Sequence, residues 1–107
     1  MDGDLKIGEM IEARYDRIVL RVRQRQDHLD ISVYDARSTQ PEIPVWEGES
    51  RDLQDAQDAA SAAATKYFTQ HELHLIEKGD KATARVAATG RLPELQPILD
   101  WQRRKSD

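Results

Sequence analysis

Twenty residues, Arg17 to Ala36, alternate apolar and polar side chains over two adjacent runs. In the first, Ile18, Leu20 and Val22 alternate with Arg17, Arg21, Arg23 and Arg25. In the second, Leu29, Ile31 and Val33 alternate with His28, Asp30, Ser32 and Tyr34. A period of two sends successive side chains to opposite faces, so these are two half-buried strands. The turn falls near Gln26-Asp27. A two-residue loop there sets Val22 opposite Ile31, Leu20 opposite Val33 and Arg23 opposite Asp30, which brings both apolar sets to one side. Neither Asn-Gly nor Asp-Gly marks the turn, so a four-residue loop fits as well.

The hairpin limits what its neighbours can be. Upstream, Met10, Ile11, Ala13 and Tyr15 either extend the first strand backwards or form a helical turn, and the alternation favours the strand. Downstream, Ser38-Thr39-Gln40-Pro41 reads as a loop, because a residue before proline is pushed out of helical space. Ile43, Val45 and Trp46 suggest a third short strand. Pro44 cannot donate a ladder hydrogen bond, which assigns that strand to an edge.

Ser50 is read as the start of the best helix, with Asp52 adding negative charge at the positive end of the helix dipole. Leu53, Ala56, Ala60, Ala63, Ala64, Tyr67 and Phe68 recur at helical spacing on one face. That face is mostly alanine, which permits close approach to a sheet but buries little area per residue. After Gln70 three readings compete. His71 to Lys78 can prolong the helix up to Gly79. The same segment can instead be a strand paired with Thr83 to Ala88 through Gly79-Asp80, or a short helix can run from Asp80 to Gly90. Alanine and charge favour the helical readings. Pro93 or Pro97 opens a last helix carrying Leu95, Ile98, Leu99 and Trp101, and Arg103 to Asp107 reads as a loose basic tail.

The expectation is a single α+β domain over residues 1–107, with its core at about 10–102 and loose ends at 1–6 and 103–107. An antiparallel βββ sheet is covered by one alanine-rich helix, with further helices after Glu72. Over about residues 10–70 this layout resembles small bacterial βββα modules, among them antitoxin-like and RNA-binding-like ones. The likeness is one of layout, and layout does not carry function.

Composition removes several classes of function. Leu, Ile, Val and Phe supply only 22 of 107 residues, yet 16 basic side chains nearly cancel 20 acidic ones, so the charge half of the disorder signature is absent. Without cysteine there are no disulfides, thiolate metal sites or cysteine nucleophiles. No apolar run approaches a membrane span, and Met1-Asp2-Gly3-Asp4 lacks the features of a signal peptide, so a soluble cytoplasmic protein is expected.

Few constellations suggest chemistry. Arg17, Arg21, Arg23 and Arg25 are expected on one strand face, about 7 Å apart, with Tyr34 placed to stack a base. Such a stripe can track a phosphate backbone, or it can be the solvated face of a half-covered sheet. The acidic pI and the neighbours Asp16, Asp27 and Asp30 favour solvation. His71 and His74 share a helical face, but two imidazoles fall short of a zinc site. Glu47, Glu49 and Asp52 can bind a cation only loosely, and they repel an anion from the following helix start. The five glycines are isolated, so no phosphate-cradling loop exists. No cofactor or catalytic group is assigned. Trp46 reads as a core anchor and Trp101 as a partner contact, and both are candidates for an interface. The functional expectation is a non-enzymatic module that self-associates or binds another protein. The alternative is a nucleic-acid-binding regulator using the arginine face.

Overall fold

A computed structural model describes residues 5–70 and 81–106. Four strands form an antiparallel sheet in sequence order: β1 (Met10–Tyr15), β2 (Ile18–Gln24), β3 (Leu29–Asp35) and β4 (Trp46–Ser50). Three helices follow, α1 (Leu53–Gln70), α2 (Lys81–Thr89) and α3 (Leu95–Ser106). The fold is α+β, with α1 against the sheet.

The central hairpin pairs as its alternation requires. Val22 faces Ile31, Leu20 faces Val33 and Arg23 faces Asp30, and the Arg25 amide donates to the His28 carbonyl across the two-residue loop. Ile18, Leu20, Val22, Leu29, Ile31 and Val33 all lie on the buried face. Against them α1 presents Ala56, Ala60, Ala64 and Phe68, all fully buried. Alanine at three successive four-residue steps lets the helix sit close to the strands, and Phe68 fills the far end.

Four elements differ from expectation. Met10 to Tyr15 is a strand, but a separate one: it folds back antiparallel to β2 through Asp16, whose φ of 57° makes the turn. Aspartate enters this left-handed region more readily than most residues, so no glycine is needed. The last strand starts at Trp46 and runs to Ser50, leaving Ile43 exposed and Pro44 ahead of the ladder. Ser50 is therefore a strand residue, and its buried hydroxyl has no hydrogen-bond partner among the described residues. Asp52 caps α1 instead, accepting from the Asp55 amide at 2.8 Å. Finally, Arg103 to Lys105 continue α3 rather than trailing off, and Arg103 holds Glu9 at 2.7 Å.

Between Lys81 and Thr89 the chain is helical, which excludes the strand reading of Thr83 to Ala88. Gly90 ends that helix at φ 75°, its amide donating to the Val86 carbonyl. Residues 71–80, which include His71 and His74, lie outside the described residues. Polar groups on the covered side anchor the later helices. Asp16 accepts from the Ala82 amide at the start of α2, and buried Thr83 donates to the Tyr15 carbonyl. Buried Gln57 bridges the Leu92 carbonyl and the Leu95 amide, which joins α1 to the start of α3. No helix among the described residues is long and apolar enough to cross a membrane.

Candidate functional site

Helices cover one face of the sheet; among the described residues nothing covers the other. Because side chains alternate, the strand residues that do not enter the core stand on that open face. β1 contributes Met10, Glu12 and Arg14; β2 contributes Arg21 and Arg23; β3 contributes Asp30, Ser32 and Tyr34; β4 contributes Glu47 and Glu49. All of these but Glu12 and Arg14 border, together with Arg25, a shallow depression of about 550 Å³.

Three of the four arginines expected here are present, each already engaged. Arg21 donates to Glu12 at 3.0 Å and lies over the Tyr34 ring, 5.0 Å from its centre. Arg25 holds Asp30 at 2.5 Å, while Arg23 reaches the Gly8 carbonyl and the Met10 sulfur. Tyr34 is on this face as expected, but the Arg21 guanidinium covers it. Arg17 is not on it. Its side chain turns to the helix-covered side and makes a two-pronged pair with buried Asp35, Nε to Oδ1 at 2.9 Å and Nη2 to Oδ2 at 2.7 Å. The same guanidinium lies over Phe68. A position in the β1–β2 turn frees Arg17 from strand alternation, and the buried carboxylate draws it inward.

One grouping on the open face was not anticipated. His28, just before β3, places Nε2 2.9 Å from Asp30 Oδ1 and 3.8 Å from Glu49 Oε1. Its Nδ1 meets the Asp27 carboxylate at 2.7 Å. Hydrogen bonds that the imidazole donates to the Asp27 and Asp30 carboxylates raise it above its ordinary pKa. Arg25, working against partial desolvation, holds Asp30 below the usual carboxylate range. His28 and Asp30 are two apart and so share a face, a signal present in the sequence. Glu49 joins them only through the β3–β4 register, which sets it opposite Asp30.

The two sheet edges differ. Along β1, Gln102 of α3 donates to the Glu12 carbonyl and Thr83 of α2 donates to the Tyr15 carbonyl. Along β4, only β3 is paired among the described residues. Beside that edge runs a groove of about 500 Å³ between β4 and α1, lined by Val45, Trp46, Ala59, Ala62, Ala63, Lys66 and Tyr67. Trp46, expected as a core anchor, is half-buried along its wall and packs against the core. Its ring lies over Gly48, where a Cβ would come within 2.5 Å of the indole, so glycine lets the ring lie flat along the strand. Trp101 is 53% exposed on α3, with Lys105 over its ring.

No family model matches the chain, and no curated protein or solved structure shows significant similarity to it.

Proposed function

We propose that this protein is a non-enzymatic interaction module that takes up an extended, basic segment of another protein as a fifth strand along β4. The carrying observation is the contrast between its sheet edges: helices close β1, whereas among the described residues β4 pairs only with β3 and lies beside a largely apolar groove. In strand addition, main-chain hydrogen bonds supply affinity and pockets for alternate side chains supply specificity. Here the groove takes one set of side chains. Glu47 and Glu49, on the opposite face of β4, favour lysine or arginine in the other set.

Charge also separates this reading from its rivals. A second copy pairing antiparallel about Gly48 sets Glu47 of one chain against Glu49 of the other, an unfavourable like-charge contact. A phosphate backbone needs a net positive surface. On the open face Arg14, Arg21, Arg23 and Arg25 are matched by Glu12, Asp30, Glu47 and Glu49.

Fluorescence polarisation with two labelled peptides, one alternating lysine with valine and one alternating glutamate with valine, tests the proposal. The basic peptide is expected to bind, at least about tenfold more weakly to Trp46→Ala, as suits loss of an aromatic anchor. Equal binding of both peptides, or none, rejects the proposal. A dimeric native mass redirects it to self-association. Binding of single-stranded DNA that weakens steeply with salt redirects it to Arg21 and Arg23.

A further inference from the structure

We propose that His28, Asp30 and Glu49 form a binding site for a divalent first-row transition ion such as Zn²⁺. The three residues bring one imidazole nitrogen and two carboxylate oxygens to the open face at the hairpin-loop end of the sheet, all within 4.8 Å of one another. Tetrahedral zinc with bonds of about 2.0–2.2 Å holds its ligand atoms roughly 3.3–3.6 Å apart. The distances from His28 Nε2, 2.9 Å to Asp30 and 3.8 Å to Glu49, lie on either side of that separation. Shifts of a few tenths of an ångström bring these two distances to it, and the Asp30 and Glu49 oxygens, within 4.8 Å of each other, reach it by rotation of the exposed Glu49 side chain.

The surroundings of the trio suit the same role. Asp27 holds Nδ1 of His28 at 2.7 Å, which directs Nε2 toward the two carboxylates. A carboxylate behind a ligating histidine is the usual means of setting its tautomer and ring orientation. Arg25 occupies Oδ2 of Asp30 and leaves Oδ1 facing His28. Asp30 and Glu49 are also direct partners across the β3–β4 ladder. Like charges in that position destabilise a sheet, and a cation between them reverses the sign of the contact.

The donor set selects the class of ion. One nitrogen with two oxygens suits zinc, manganese, cobalt or nickel, whereas calcium and magnesium favour all-oxygen shells and copper(I) favours sulfur. Three protein ligands leave a fourth tetrahedral position for water or for a donor atom from an incoming molecule. Glu49 is exposed, so the ion enters directly from solvent. This inference does not rest on peptide docking, since the ion needs no occupant along the β4 edge; the two readings share Glu49, and only the ion depends on His28.

The test is calorimetric titration of Zn²⁺ into the metal-free full chain at neutral pH in a buffer that does not chelate. One ion per chain is expected. His28→Gln and Glu49→Gln should each weaken it by well over tenfold, and Asp27→Asn by about tenfold, the scale for a ligand-orienting partner. The double variant His71→Gln with His74→Gln should bind as the parent does. Circular dichroism of the metal-free variants, unchanged from the parent, certifies that the fold is intact. No uptake by the parent overturns the proposal. So does uptake that survives His28→Gln but is lost in the His71 and His74 variant, which places the ion elsewhere.

Discussion

Asp30 and Asp35 lie five residues apart on β3, point to opposite faces, and each holds an arginine and a ring-bearing side chain. Asp35 pairs with Arg17 and accepts from the Tyr67 hydroxyl; Asp30 pairs with Arg25 and meets His28. The partners are alike in kind, but the surroundings are not. The Asp35 side chain is 1% exposed and that of Asp30 is 38% exposed. On the covered side a buried carboxylate must be answered by the protein, because water is not there to do it. Arg17, Tyr67 and the Arg37 amide do that, and the result is structural. On the open side water can answer for any partner that leaves, so the same chemistry stays available for a ligand.

The sharpest way to break this comparison is to remove the Asp35 charge. Asp35→Asn removes the buried carboxylate that the half-buried Arg17 guanidinium grips with both prongs, and is expected to cost about 3 kcal/mol in urea unfolding. The effect should also carry a pH signature. Burial alone pushes the Asp35 carboxyl up, but the Arg17 fork, the Arg37 amide and the Tyr67 hydroxyl outweigh it and hold it below the ordinary carboxylate range. With its pKa lower folded than unfolded, Asp35 stabilises the protein above about pH 4 and loses that contribution as pH falls through the folded value. The parent's acid limb should therefore be steeper than the variant's. An unfolding free energy for Asp35→Asn within a few tenths of the parent's would show that burial does not set the value of the pair.

Thr83 tests the same principle where no charge is involved. Thr83→Val keeps the shape but removes the hydroxyl that the Tyr15 carbonyl accepts on the covered side, at an expected cost of about 1–2 kcal/mol. A smaller effect, about 1 kcal/mol, is expected of Gly48→Ala, whose added methyl meets the Trp46 ring. The indole must swing out of the groove wall, so its emission should shift to the red and the basic peptide should bind less tightly. Unchanged emission would mean that the strand, rather than the ring, gives way.

How much of this was legible beforehand follows from which interactions are local. The β2–β3 register could be read because two alternating runs flank a short loop and each face has one character. The α1 face could be read for the same reason at helical period. β1 was harder to separate, since its turn depends on one aspartate in the left-handed region, which only geometry reveals. Ser50 and Asp52 are both good capping residues, and the choice between them was decided by how far β4 extends. Arg17 continues the odd-numbered arginine pattern in the sequence, yet it answers to a carboxylate 18 positions away. Glu49 could not be joined to His28 and Asp30 until the β3–β4 register was known, so the trio had only its His-x-Asp half in view.

The mildest substitution completes the comparison. Asp30→Asn removes the charge that Arg25 and His28 share, as Asp35→Asn does for Arg17 and Tyr67. Solvent reaches Arg25, His28 and the new amide alike, so the expected loss is under about 1 kcal/mol, within the range for exposed ion pairs. Added salt should shrink even that, because exposed charges are screened where buried ones are not. The two variants differ by one atom each from the same side chain on the same strand. A ratio of at least about threefold between their costs would assign the difference to burial alone. Equal costs would mean that the open-face cluster is as tightly held as the covered one. The depression above it would then be a finished part of the fold, with little freedom left for an ion.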